Sequence, residues 1–199
     1  PPRSTLFPYT TLFRSDVEAH TSIVFVSKSQ SSPQFIAFRG ADCFLEEPVD
    51  IVSFLKDVEF IHFTSWPFSC EQSRLACMKL VRKALEAGIK ITFDPNYRRV
   101  LWDREDDGSE FIKEFLKYAF IVKPSEDDAL HIFGTGDPHE YIDKFHNAGA
   151  SNVVLTLGHK GSVISDGHKT ETLSPCARRV VDTTRSEEHT SELQSRQSI

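Results

Sequence analysis

The chain has 199 residues, 39% of them hydrophobic and 26% charged, and a formal net charge of −6. That is enough apolar chain for one globular domain with a real core, and too much for a disordered segment. No basic block stands against the acidic balance, which excludes a nucleic-acid reader, and no apolar run approaches the ~18 residues of a membrane span.

The two ends are set aside before the fold is read. Residues 1–15 read as the translation of a short-read sequencing adapter, and residues 185–195 as that of its partner; residues 196–199 follow on as foreign chain. The native segment is then 16–184. Removing the four arginines and three glutamates of the ends leaves 19 basic and 26 acidic residues, a net of −7. The four cysteines, Cys43, Cys70, Cys77 and Cys176, form no Cys-x-x-Cys pair. They read as reduced thiols of a cytoplasmic protein. The N-terminus lacks the apolar core of a signal peptide.

In chain order, 21–27 and 34–39 are rich in β-branched and aromatic residues, and Ser29-Gln30-Ser31-Ser32-Pro33 between them is a turn cluster. They predict a β-hairpin. A short helix follows over 49–56, and 59–64 reads as a buried strand. His62 in that strand reads as a packed histidine rather than a ligand, because no second metal ligand stands near it in sequence. Ser69-Cys70-Glu71-Gln72 fits a capping box opening a helix to Ala87, with Leu75, Met78, Val81 and Leu85 as its apolar face and Gly88 as its αL stop.

The alternating run Ile89-Lys90-Ile91-Thr92-Phe93 predicts a strand. It is broken by Asp94-Pro95, a turn initiator that bars helix at Asp94. A helix over 108–118 turns Phe111, Ile112, Phe115 and Leu116 inward, and 119–122 is the next strand. Ser125-Glu126-Asp127-Asp128 starts a helix that ends near Gly134, and another runs over 138–147 with Pro at its first turn. A near-continuous apolar run over 152–157 reads as a core strand, and 162–165 and 169–173 flank the turn Asp166-Gly167. The alternation of strand and helix predicts an α/β fold with a mainly parallel sheet, with the hairpin outside that rhythm.

Few residues carry familiar chemistry. The sequence holds no Gly-x-x-x-x-Gly-Lys-Ser/Thr, His-Glu-x-x-His or Gly-x-Ser-x-Gly, and Gly134-Thr135-Gly136 is a loop. The informative stretch is Asp94-Pro95-Asn96-Tyr97-Arg98-Arg99. It puts a carboxylate, an amide and two guanidinium groups at the carboxyl end of a strand, where an open α/β sheet presents its ligand. Guanidinium forks suit hydroxyls and carboxylates, and an amide both donates and accepts.

Five segments together resemble the PfkB carbohydrate kinases of ribokinase-like fold, within them the fructokinase and 2-keto-3-deoxygluconate kinase branch. They are Phe-Arg-Gly-Ala-Asp at 38–42, Phe-Asp-Pro-Asn-Tyr-Arg at 93–98 with Leu101-Trp102, Val-Lys-Pro-Ser-Glu-Asp-Asp at 122–128, Val-Leu-Thr-Leu-Gly-His-Lys-Gly at 154–161 and Val-Asp-Thr-Thr at 181–184. Their order and spacing follow the family over the whole of 16–184.

The resemblance implies an ATP-dependent kinase that phosphorylates a hydroxyl of a ketose or keto-sugar acid with Mg²⁺ and K⁺. It implies a hairpin lid over about 21–40 that pairs two subunits into a homodimer. It places Arg39, Asn96 and Arg98 on the sugar, and Ser125, Thr156, Gly158 and Gly161 on the nucleotide. Asp128 would serve the metal, and Asp182 and Thr184 the monovalent-cation loop. Ser125 and Asp128 replace the family's Asn-x-x-Glu and read equally well as a plain capping box. The family's Gly-Ala-Gly-Asp, which supplies the anion hole and the base, does not follow Thr184; Arg185-Ser186-Glu187-Glu188 does. No catalytic residue is therefore assigned. The competing expectation is a non-catalytic fragment that binds sugar or nucleotide weakly or not at all.

Overall fold

The computed structural model describes residues 16–27 and 34–175. Strands β1 (Ile23–Ser27) and β2 (Gln34–Phe38) pair antiparallel as a separate two-stranded sheet, with Ile23 opposite Phe38 and Phe25 opposite Ile36. The other strands form one six-stranded sheet in sequence order: β3 (Phe60–Thr64), β4 (Lys90–Asp94), β5 (Ala119–Val122), β6 (Asn152–Thr156), β7 (Ser162–Ser165) and β8 (Thr170–Leu173). The pairings from β3 to β6 are parallel, and those of β7 and β8 are antiparallel. The helices are α1 (Ile51–Phe54), α2 (Glu71–Glu86), α3 (Ser109–Phe115), α4 (Glu126–Phe133) and α5 (Pro138–Asn147). This is the ribokinase-like α/β arrangement, a mainly parallel sheet with flanking helices and a small antiparallel hairpin.

One face of the sheet is dry. Phe63, Ile91, Phe93, Val122, Val153, Leu155 and Val163 alternate onto it and pack with Val81, Ile112, Phe115, Ile132, Ile142 and Phe145 of the helices. Phe115 lies at the centre, its ring 4.6 Å from that of Phe93 and 4.7 Å from that of Phe68. On the opposite face Phe60, His62 and Ile164 stay exposed.

The local signals were right where the chain's own chemistry closes the end. Asp137 accepts from the backbone N–H of His139 and Glu140, Glu140 reaches back to the Asp137 N–H, and Pro138 occupies the first turn, so α5 begins where the sequence says. The signal at Ser69 does not hold. The N-cap of α2 is Cys70, with no side-chain cap bond, because the Ser69 hydroxyl donates to the Trp66 carbonyl and accepts from Arg39. The face of α2 is also corrected. Ser73, Cys77, Val81 and Ala84 are buried, whereas Leu75 and Leu85 are exposed. Small side chains let this helix lie close to the sheet.

The cysteine reading is corrected as well. Cys43 and Cys70 are joined as a disulfide with Cα atoms 5.3 Å apart. A separation of 27 residues carries no spacing signal; the fold makes the pair by bringing the turn after β2 onto the start of α2. Cys77 is free and buried, and burial pushes its thiol up to about 11. Cys176 lies outside the described residues, as do 1–15 and 185–199.

Gly108 is a position that only glycine suits. Its φ is 78°, and a Cβ there would meet the Trp102 ring at 2.1–2.3 Å. Gly88 has a similar φ of 74° but nothing within 4 Å of an added Cβ. We expect Gly88→Ala to cost about 1–2 kcal/mol, the left-handed penalty alone. Gly108→Ala should cost about 3–4 kcal/mol, because the indole must also move. Urea titration of both variants checks the difference, and equal losses would mean that Trp102 yields freely.

Candidate active site at the carboxyl ends of the parallel strands

The loop after β4 is shaped by its own turn chemistry and by an ion pair from the end of the next strand. Asp94 closes an Asx turn, its Oδ1 accepting from the Asn96 N–H at 3.1 Å. Its Oδ2 lies 2.9 Å from Lys123 Nζ, which comes from the end of β5. Asn96 then takes φ 36°, a left-handed conformation that asparagine tolerates better than most residues. Pro95 and Tyr97 are buried under the turn, and the Tyr97 ring lies 5.6 Å from that of His131. The loop is therefore a fixed surface rather than a free polar turn.

A further bond reaches it from the start of α4. The Tyr97 N–H donates to Asp128 Oδ1 at 2.6 Å. Asp128 Oδ2 accepts the Ser125 N–H at 2.9 Å and the Ser125 hydroxyl at 2.7 Å, and the Asp128 N–H donates back to that hydroxyl at 3.0 Å. Asp128 is 3% exposed, and burial raises its carboxyl above the ordinary value, aided by the Asp94 charge and opposed by the Ser125 and Tyr97 bonds. The capping box is thus real, and its second carboxylate oxygen ties α4 to the loop after β4.

The end of β6 completes the row. Thr156 pairs with Ser125 as an isolated parallel bridge, and its N–H donates to the Pro124 carbonyl at 2.9 Å. A 3₁₀ turn over Gly158–Lys160 follows, closed by the Leu157 N–H on the Gly161 carbonyl at 2.8 Å. Gly158 has φ 57° with open space beside it, so a ligand can approach its backbone. Gly161 is glycine for a structural reason: φ is 97°, and a Cβ would sit 2.0 Å from the Leu173 carbonyl oxygen.

Asn96, Arg98, Ser125, Thr156 and Gly158 therefore lie along one edge of the sheet, at the carboxyl ends of three adjacent parallel strands. Arg98 is half-buried and one of its nitrogens donates to the Tyr97 carbonyl at 2.8 Å. Arg99 turns away and spends its guanidinium on the Trp102 and Arg104 carbonyls, each at 3.1 Å. Arg39 sits at the foot of the hairpin, donating to Asp42, Ser69 and the Trp66 carbonyl. Asp182 and Thr184 lie outside the described residues. Among the described residues no cluster of three His, Cys, Asp or Glu is arranged to hold a metal. No described helix is long and apolar enough to cross a membrane.

Sequence reading missed Lys123, Tyr97, Asp42 and Trp66. Lys123 and Asp42 stand inside the quoted motifs, but their partners Asp94 and Trp66 are 29 and 24 positions away, and nothing local signals those pairings.

The comparisons agree with this fold. The model of the "pfkB family carbohydrate kinase" family matches residues 10–184. A protein named ATP-dependent 6-phosphofructokinase, from Thermoanaerobacterium thermosaccharolyticum, is 39% identical over 168 residues, 84% of this chain and 52% of that protein. The chain spans about half the length of the curated relatives it matches. The structure of Halothermothrix orenii fructokinase superposes with a TM-score of 0.73 at 38% identity, covering 81% of this chain and 57% of that one. The Vibrio cholerae O395 fructokinase bound to fructose, ADP and a calcium ion gives 0.77 at 25% identity, over 92% and 60%. Nothing in them favours the non-catalytic reading. With a family model covering most of the sequence and the same sheet underneath it, the chain belongs to the pfkB family of carbohydrate kinases.

Proposed function

We propose that this segment is the acceptor-and-phosphate half of an ATP-dependent sugar kinase, acting on a ketose or keto-sugar acid. The observation that carries the reading is the built loop after β4. Lys123, Asp94 and Asp128 hold its backbone, and Asn96 and Arg98 project from it at the sheet's carboxyl edge. Asn96 can donate to and accept from a ring hydroxyl. Arg98 can take a carboxylate in bidentate fashion or share two hydroxyls. The neighbouring β6 end, with Thr156 and the open Gly158 backbone, fits a phosphate chain. Adjacent strand ends would then hold acceptor and donor side by side, and positioning is most of what phosphoryl transfer asks of a protein.

Mg²⁺ and K⁺ are what the family resemblance implies. Asp128 does not fit a direct metal ligand, since its oxygens already accept three protein donors and it is almost wholly buried. Mg²⁺, when bound, would neutralise phosphate charge; this side chain would act only by fixing the loop and the start of α4.

The test uses the full-length protein, with ADP production measured over fructose, fructose 6-phosphate, 2-keto-3-deoxygluconate, glucose and a riboside. We expect a keto acceptor to give the highest kcat/KM. A preference for glucose or the riboside would overturn the acceptor class, and no acceptor-dependent ADP at all would overturn the kinase reading.

The hairpin carries the partner reading. Ile23, Phe25, Ile36 and Phe38 form two cross-strand pairs on one face, and all four are half or more exposed. A lone hairpin with such a face is marginal in water, and a second copy would cover it. We expect Phe25→Asp with Ile36→Asp to weaken a homodimer of the full-length protein at least tenfold, read by sedimentation. A wild type that sediments as a monomer at every concentration would remove the pairing.

A further inference from the structure

One carboxylate joins both ends of the hairpin to the body of the protein, and the proposed chemistry does not use it. Asp42 Oδ1 accepts the Ser22 hydroxyl, from just before β1, and the Gly40 N–H at 3.0 Å, from just after β2. Asp42 Oδ2 accepts Arg39 Nε at 2.5 Å and the Trp66 indole N–H at 2.5 Å. Trp66 opens the 3₁₀ turn Trp66–Ser69 that follows β3, so it belongs to the body. The Arg39 guanidinium lies 4.4 Å from the centre of the Trp66 ring and donates to Ser69 Oγ at 2.7 Å. The two hairpin ends are also pressed together: the Ala41 N–H donates to the His20 carbonyl at 2.9 Å, and a Cβ on Gly40 would sit 2.0 Å from that oxygen.

Burial alone would raise the Asp42 carboxyl, but the bonds from Ser22, Gly40, Trp66 and Arg39 outweigh it and hold the group below the usual 3.8. The carboxylate is thus charged at neutral pH and takes donors from both ends of the hairpin and from the body.

We propose that Asp42 is a positioning residue that latches the hairpin to the turn after β3, and so sets how the lid stands over the acceptor edge. The proposal rests on the sugar-kinase reading for its consequence in catalysis, but not for the latch itself. Arg39 serves the latch in this arrangement: its three donor nitrogens are engaged with Asp42, Ser69 and the Trp66 carbonyl. Arg39 and Asp42 therefore act as one unit, and the orientation of any face that Arg39 offers a sugar is set by Asp42.

Two measurements separate the latch from the function. In the present chain, amide hydrogen exchange is followed in β1 and β2 against β4 and α2. Asp42→Asn and Trp66→Phe should speed exchange of the hairpin at least tenfold and leave β4 and α2 within about twofold. The control Asp50→Ala removes an exposed helix cap elsewhere and should leave the hairpin unchanged. Unchanged hairpin exchange in Asp42→Asn, or equal acceleration everywhere, would overturn the latch. In the full-length protein the same variants should raise acceptor KM about tenfold, with ATP KM unmoved. A parallel rise in both would mark a merely structural role and sink the positioning claim. If the wild type phosphorylates no sugar, the proposed function fails while the exchange result still decides the latch.

Discussion

Replacing Arg98 by alanine in the full-length protein is expected to lower acceptor kcat/KM by roughly ten- to a thousandfold, on the order of 1–4 kcal/mol, and to leave ATP KM near its starting value. The expectation comes from where the loop holds the residue. Three residues separate it from the strand-ending Asp94, and within them the Asx turn, the left-handed Asn96 and the Tyr97–Asp128 bond leave the backbone one path. A guanidinium carried on such a path loses little freedom on binding, so its removal is read mainly as lost contact. Arg98→Lys keeps the charge but not the fork, and should recover less than half of the lost free energy if the acceptor offers a carboxylate. Arg99→Ala is the comparison: its bonds are to the Trp102 and Arg104 carbonyls, and it should change acceptor KM less than threefold. Unaltered kcat and KM in Arg98→Ala would make it a surface residue and remove the main ground for placing the sugar at this loop.

Asp128→Ala should be the most disruptive single change at the site. It strips the acceptor from the Tyr97 N–H and from the Ser125 N–H and hydroxyl, in a place that water hardly reaches. Leaving buried donors unpaired predicts a loss of about 2–4 kcal/mol in urea unfolding. The pH dependence carries the opposite sign to that of an ordinary surface aspartate. Burial raises the folded-state carboxyl above its usual 3.8, so the neutral form is the one that folding favours. That stability is fully present below the usual value and is lost as pH rises through the higher folded one. Asp128→Asn, which cannot ionise, should therefore close part of its stability gap to the wild type as pH rises above about 4. A gap that widens over that range would show that the carboxylate, not the acid, is the favoured form.

What the sequence revealed and what it hid follow one division. Elements closed by their own neighbours were legible. Pro138–Asn147 starts at its capping box, and Ala119–Val122 and Ser162–Ser165 are bounded by turn residues. Ser125 and Asp128 looked equally like a cap and a ligand pair, and their bonds include those of the cap. Features closed by distant partners were not legible. Ser69 has the right residue for a cap, yet its hydroxyl is taken by Arg39, 30 positions back. Leu75 and Leu85 have the apolar character of a core face, yet Ser73, Cys77 and Ala84 are chosen because the sheet lies close. The loop residues Asn96 and Arg98 were found by motif and strand position. The bonds that make the loop rigid run to Lys123 and Asp128, 29 and 31 positions on, and only folding brings those partners together.

The sequence has two tryptophans, and the fold has placed one at the foot of the hairpin and one beside the acceptor loop. Trp66 stands in the latch, its indole N–H on a carboxylate and its ring under a guanidinium. Trp102 is buried just beyond the acceptor loop, with Arg74 5.3 Å from its ring and Phe111 packed beside it. Intrinsic fluorescence is therefore split between a polar reporter of the lid and an apolar reporter of the loop. With Trp102 replaced by phenylalanine, the emission of Trp66 becomes a label-free record of whether the lid responds when a sugar arrives.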